Sequence, residues 1–201
     1  MTADISSVTV ASRSKIPPRE RILSAARELF YAKGIRAVSV DAIAEAADTN
    51  KMTLYRHFES KDVLVAEYLK SIALEFEGLW HEMAKAHEGD PAGQLNAWIE
   101  FGAAEHSAAD DRGCPFANAA VEIPEKDHPA KPVIERVKTQ HREAVADLCR
   151  RARYRDPEQL GEQIVLLFEG ACIERQCCGP SAAPSRAFDM IRSIVANQPK
   201  L

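Results

Sequence analysis

Ser39-Val40-Asp41-Ala42-Ile43-Ala44-Glu45-Ala46-Ala47-Asp48-Thr49-Asn50-Lys51-Met52-Thr53-Leu54-Tyr55-Arg56-His57-Phe58 is the stretch whose reading decides the fold. Val40, Ile43, Ala44 and Ala47 recur at the three- and four-residue spacing that lines up one face of an α-helix, so the first segment has one side to bury. Ser39 stands where an N-cap belongs, and Asp41 lies near the positive helix start. Asp48-Thr49-Asn50 then breaks the period. Aspartate tolerates the left-handed backbone that a tight turn asks for, and Asn50 is a favoured N-cap for a second helix beginning at Lys51. Along that helix Leu54 and Phe58 fall one turn apart and point inward, leaving Lys51, Met52, Thr53, Tyr55, Arg56 and His57 outside. Two short helices across a tight turn, the second with a polar and basic outer face, form the helix-turn-helix arrangement that lays a helix in the major groove of DNA.

The same residues carry a family resemblance. Lys51-Met52-Thr53-Leu54-Tyr55-Arg56-His57-Phe58, continued by Glu59-Ser60-Lys61-Asp62-Val63-Leu64, resembles the recognition helix and following segment of the TetR family of one-component bacterial transcription regulators, which usually run Lys-Gly-Thr-Leu-Tyr-x-x-Phe-x-x-Lys-x-x-Leu. The likeness reaches back through Arg21-Ile22-Leu23-Ser24-Ala25-Ala26-Arg27-Glu28-Leu29-Phe30 and Lys33-Gly34, which are similar to the family's first helix and its glycine-marked end. Where the family usually has Gly and a small aliphatic residue, this chain has Asp48 and Thr49. The resemblance implies an all-α protein with an N-terminal three-helix DNA-binding domain and a C-terminal helical ligand-binding and dimerisation bundle. It also implies a homodimer through the last two long helices, a palindromic double-stranded DNA operator and a small-molecule effector that most often releases a repressor.

By resemblance, Tyr55, His57 and Lys61 fall among phosphate contacts, while Lys51, Met52, Thr53 and Arg56 lie where the family meets bases; Ser39 and Asn50, at the two helix starts, complete the DNA-facing set. The chemistry of these residues agrees. Lys51 and Arg56 suit phosphates or guanine edges, Met52 and Thr53 suit thymine methyls, and Tyr55 and His57 can hydrogen-bond backbone oxygens.

Outward from this unit, the periodicity predicts three parts: a flexible arm over 1–17, the DNA-binding domain over 18–62 with its motif at 39–58, and a helical effector-binding and dimerisation domain over 63–201. The first helix is expected near 19–33 with Ile22, Ala26, Leu29 and Phe30 inward. A long helix from Lys61 to about His87 carries Leu64, Tyr68, Ile72, Phe76, Leu79 and Met83 as a nearly continuous apolar stripe. Further helices are expected near 91–108, 114–122, 130–154, 157–178 and 184–197, each bounded by Pro, Gly or Asp. In the last two, Leu160, Ile164, Leu167, Phe168 and Ala171 form one apolar face and Ala187, Met190, Ile191, Ile194 and Val195 another. Pattern alone leaves open whether these faces meet a second copy or fill an internal core.

The net charge is −4, which argues against a generic polyanion binder, but it is unevenly spread. Residues 1–62 hold ten Lys/Arg against eight Asp/Glu, and the rest sixteen against twenty-two, so a mildly basic end adjoins an acidic body. No stretch approaches the roughly 20 apolar residues of a membrane span, and the start lacks a signal peptide's apolar core, so a cytoplasmic protein with reduced cysteines is expected.

Effector candidates are the aromatics Phe76, Trp80, Trp98, Phe101, Phe116 and Phe168. To these the segment Arg112-Gly113-Cys114-Pro115-Phe116-Ala117-Asn118-Ala119-Ala120-Val121-Glu122 adds Asn118 and Glu122, one turn apart, and the helix expected near 157–178 adds Glu169 and Cys172. Glu169 beside Phe168 needs a partner if buried, either a cationic ligand or an arginine such as Arg175. No cofactor is expected. Glu77, His81, His106 and His141 show no spacing typical of a metal site, so no metal is expected either. The alternative readings are a helical enzyme using Cys114 with His106 or His128, for which no nucleophile elbow or phosphate loop exists, and a helical adaptor that kept the fold without binding DNA.

Overall fold

A computed structural model describes residues 16–105, 112–178 and 183–201. Among these residues the chain forms α1 (Pro18–Lys33), α2 (Val40–Ala46), α3 (Lys51–His57), α4 (Lys61–Ala86), α5 (Pro91–Glu105), α6 (Pro115–Glu122), α7 (Lys131–Arg151), α8 (Pro157–Cys178) and α9 (Ala183–Asn197). The only extended pairing among them is a single bridge between Tyr154 and Lys200. The all-α expectation is met, and most helix ends fall within three residues of those read from Pro, Gly and cap signals. No helix among the described residues is long and apolar enough to cross a membrane.

Two compact units emerge: residues up to Ser71 together with Ala119–Lys131, and Ile72–Asn118 together with Pro132–Leu201. The first therefore takes in more than the expected 18–62. It includes the first part of α4 and a segment far away in sequence. Its core consists of Ile22, Ala25, Ala26 and Phe30 from α1, Ile43 and Ala44 from α2, Leu54 and Phe58 from α3 and its end, and Leu64, Val65, Tyr68 and Leu69 from α4, all buried. Phe30 and Tyr68 meet ring to ring at 5.6 Å. Leu29, expected inward, is only half-buried, and Ala25 takes its place in the core.

The second unit buries Leu95, Trp98 and Ile99 of α5, Val145, Leu148 and Cys149 of α7, Leu160, Ile164 and Val165 of α8, and Phe188, Ile191 and Val195 of α9. Close helix approach depends on two glycines. A Cβ on Gly102 would stand 2.5 Å from Cε2 of Phe168, and one on Gly161 would stand 2.9 Å from Cα of Ala146. The expected continuous stripe of α4 holds only in part: Leu64, Tyr68 and Ile72 are buried, whereas Phe76 and Leu79 are 45% and 41% exposed. Periodicity identifies a face but not whether anything covers it.

Candidate nucleic-acid interface

The turn between α2 and α3 is built as its residue types require. Ser39 Oγ accepts from the Ala42 N–H at 3.1 Å, and Asn50 Oδ1 accepts from the Thr53 N–H at 2.9 Å, so both helices begin with a side-chain cap. Between them Asp48 adopts φ +48°, the left-handed conformation that an aspartate accepts more readily than most side chains. Arg21 of α1 holds this turn from outside by donating to the Asp48 carbonyl at 3.2 Å. The chain thus achieves with an aspartate and an arginine clasp a turn that glycine would make without strain.

With Leu54 and Phe58 wholly buried, the remaining residues of α3 point away from the core. Met52 is 81% exposed, Lys51, Tyr55 and Arg56 are exposed, and Thr53 and His57 are half-buried. A methionine that exposed on an otherwise polar face has no role in packing this unit, which fits a surface meant to be covered. Lys51 Nζ lies 3.3 Å from Asp41 Oδ2 of α2, an ion pair in solvent worth under about 1 kcal/mol and easily exchanged for a phosphate. His57 is less free: its Nε2 is enclosed, with no hydrogen-bond partner among the described residues.

Lys61 differs most from its expected place. Its ammonium donates to the Ile35 carbonyl at 2.6 Å and lies 5.9 Å from the Phe30 ring centre, so it ties the start of α4 to the loop after α1. Burial lowers its pKa, with Asp62 and Glu122 acting in the opposite direction. In this arrangement Lys61 is a brace, and reaching a phosphate means giving up the Ile35 carbonyl. Ser39 and Asn50, likewise, spend their side-chain oxygens on capping.

Sequence reading missed a second brace. Glu122 Oε2 accepts from the Arg36 N–H at 3.0 Å, its carbonyl accepts from Arg36 Nε at 2.7 Å, and Arg36 also reaches Glu125 at 3.0 Å. The Glu122 carboxylate lies over Gly34, whose φ of +88° and missing Cβ leave the space. Glu122 therefore belongs to the first unit and supports the loop before α2, rather than facing a ligand in the body as expected. No signal in the sequence links Arg36 to a residue 86 positions away.

In the second unit Trp80 and Trp98 meet edge to face at 6.2 Å, Trp98 stacks on Phe168 at 5.0 Å, and His141 fills the angle at 5.0 Å from Trp98. Burial first, and then Lys138, push the His141 pKa down to about 4, so the ring is neutral near pH 7. Phe76 pairs with Phe116 at 6.3 Å, Phe101 is half-buried on α5, and Cys172 is fully buried. Glu169 has found a lysine partner in place of an arginine: it forms a short ion pair with Lys138. Asn118 is engaged locally, with its amide donating to the Arg112 carbonyl at 3.0 Å and its oxygen accepting from Gln176. No group of three metal-binding side chains forms among the described residues, and His106 lies outside them.

Residues 22–68 match the model of the tetR family of bacterial regulatory proteins. The HTH-type transcriptional regulator UidR of Escherichia coli is 45% identical over 49 residues, 24% of this chain and 25% of UidR. The HTH-type transcriptional repressor KstR2 of Rhodococcus jostii is 37% identical over 65 residues, 32% of each chain. This chain thus aligns with only about a quarter to a third of the length of these curated relatives. Across the whole fold it is similar to a TetR-family transcriptional regulator from Streptomyces coelicolor, with a TM-score of 0.83, 26% identity, and coverage of 90% of this chain and 95% of that one. The capped helix-turn-helix thus lies inside the segment that matches the tetR family model, within a helical architecture similar to that of a TetR-family transcriptional regulator.

Proposed function

We propose that the protein is a DNA-binding transcriptional regulator, a repressor that grips a palindromic operator as a homodimer and lets go when a small molecule occupies its helical body. The observation that carries this reading is the face of α3. Its basic and polar side chains, with Met52 bare, project from a helix whose other side is locked in a core, the form of an element that reads a major groove. Lys51, Met52, Thr53 and Arg56 are its base-facing set, and Tyr55 and the open side of His57 serve phosphates. Lys61 and Ser39 act behind it as supports.

Support for a dimer comes from α8 and α9. The stripe residues Leu160, Ile164, Ile191 and Val195 are spent on the internal core, yet Leu166, Ile173 and Met190 on the same helices remain 61%, 46% and 55% exposed. Leu166, Gly170, Ala187 and Met190 line a shallow apolar groove of about 280 Å³, whose charged margin is Glu174 and Arg186. A second copy would cover it. One helix-turn-helix reads few base pairs, whereas two copies spaced by about 34–36 Å reach successive major grooves. The effector is assigned to the aromatic group Trp80, Trp98 and Phe168, where neutral His141 supplies a polar edge within an apolar surround.

Sedimentation of the wild type and of Leu166→Glu with Met190→Glu tests the dimer; a monomeric double variant is expected, and an unchanged mass would remove this interface. Titration of duplex DNA over a range of salt tests the reading face. Replacing Lys51 and Arg56 by Ala should weaken binding and relax the sequence preference at the base pairs they face. Equal binding by wild type and variant would remove α3 from the interface.

A further inference from the structure

The second unit holds a cluster that neither DNA reading nor the aromatic group uses. Lys138 of α7 places its ammonium 3.3 Å from the Cys114 sulfur and in a short ion pair with Glu169 of α8. Three elements meet here: the residue immediately before α6, the middle of α7 and the middle of α8. The Cys114 carbonyl accepts the Asn118 N–H at 3.0 Å, so the residue stands at the N-terminal boundary of α6, with Pro115 as its first helical residue. Gln176 and Asn118 both hold the preceding Arg112 carbonyl, at 2.9 and 3.0 Å, which fixes the approach of the chain to the sulfur. Cys114 is half-buried, and the side chains of Lys138 and Glu169 are each 27% exposed, so the cluster opens to solvent.

Other cysteines differ from it. Cys149 and Cys172 are fully buried, and burial pushes the Cys149 thiol up to about 11, which makes it inert as a nucleophile. Cys177 is exposed. Only at Cys114, among the cysteines whose side chains are described, is a lysine seen donating to sulfur.

We infer that Cys114, Lys138 and Glu169 form a reactive-thiol site that takes neutral soft electrophiles of the α,β-unsaturated carbonyl class. An ammonium has three protons, and the sulfur and Glu169 occupy two; the third can meet a carbonyl oxygen and draw electrons from its conjugated double bond. Glu169 balances the charge of Lys138, so the pair carries no net charge to draw an anion and suits an uncharged molecule. Burial works against the Lys138 charge, but the sulfur and Glu169 outweigh it and keep its pKa above the ordinary value, so the proton donor is present near pH 7. In the reaction the sulfur lone pair forms the S–C bond at the β carbon, and the π pair moves onto the carbonyl-conjugated carbon. That carbon gains a proton equivalent to the one the thiol loses. The net change is addition of S–H across C=C, with no oxidant or reductant consumed. The site's chemistry does not depend on what α3 binds.

The test treats the full chain with less than one equivalent of N-ethylmaleimide and maps the labelled peptides over time. Cys114 should label about tenfold faster than the more exposed Cys177, because lysine-assisted reactivity outweighs access. Lys138→Met should remove that advantage without changing the Cys177 rate, and Lys138→Arg should retain much of it. Glu169→Gln, which leaves the positive charge uncompensated beside sulfur, should speed Cys114 labelling, an effect opposite in sign to Lys138→Met and not expected from loosened packing. Labelling of Cys149 or Cys172 would report unfolding; if Lys138→Met shows it, Glu169→Gln decides. Preferential labelling of Cys177, or a Cys114 rate indifferent to the deciding substitution, would overturn the site.

Discussion

The reading unit and the body spend polar side chains in opposite ways. In the reading unit Ser39, Asn50, Arg21, Arg36 and Lys61 give their hydrogen bonds to the backbone, each fixing a helix start or a loop, and the charges left over line the outer face of α3. In the body Lys138 and Glu169 pair with each other across two helices, and neutral His141 lies against the rings of Trp98 and Phe168. The first pattern makes a rigid surface with its chemistry outside. The second keeps a half-buried polar group inside, where small changes in proton, ligand or covalent state alter large interaction energies.

Substitutions in either unit test that contrast. The largest effect belongs to the reading unit's core: Phe58→Ala, which empties a wholly buried site beneath α3, should cost about 3–5 kcal/mol in denaturant titration and abolish DNA binding with it. Next is the pH response of the body. The folded-state pKa of His141 is about 4, below the 6.5 of the free side chain, so the unfolded chain takes up its proton first. Its contribution is therefore full above about pH 6.5, declines as pH falls toward 4 and stays level below, for a total of about 3 kcal/mol. His141→Phe should remove that slope in unfolding curves measured from pH 7 to 4. Gly102→Ala, which drives a methyl into Phe168, should destabilise the body by about 1–3 kcal/mol and lower its melting temperature. Asp48→Gly should stabilise the reading unit by about 1 kcal/mol, because glycine takes the left-handed backbone freely and the Arg21 bond to the carbonyl survives; Asp48→Val should destabilise it.

The reading unit was legible because its determinants are local. Caps act over three residues, as at Ser39 to Ala42 and Asn50 to Thr53, and the left-handed turn follows from one aspartate flanked by two short periodic stretches. The Lys61 brace was hidden because its partner is a backbone carbonyl, which leaves no mark in a sequence. Glu122 was misplaced for a related reason: one-turn spacing put it with Asn118, whereas its position is set by a glycine and an arginine 86 or more residues earlier. In the body, the periodicity of α4, α8 and α9 marked apolar faces correctly but could not say that Leu160 and Ile191 face inward while Leu166 and Met190 stay bare. Nor could it bring Cys114, Lys138 and Glu169 together, since one precedes α6 and the others lie on α7 and α8, at spacings of 24 and 31 residues.

The most direct test of α3 as a reading helix is selection of duplexes from a random DNA pool by the purified protein, with the enriched sequence retitrated against wild type and Arg56→Ala. The expected result is an inverted repeat whose half-sites lie about one helical turn, or a multiple of it, apart, bound tightly by wild type and with relaxed preference by Arg56→Ala. A pool that shows no enrichment, or an enriched site that both proteins bind alike, would contradict it.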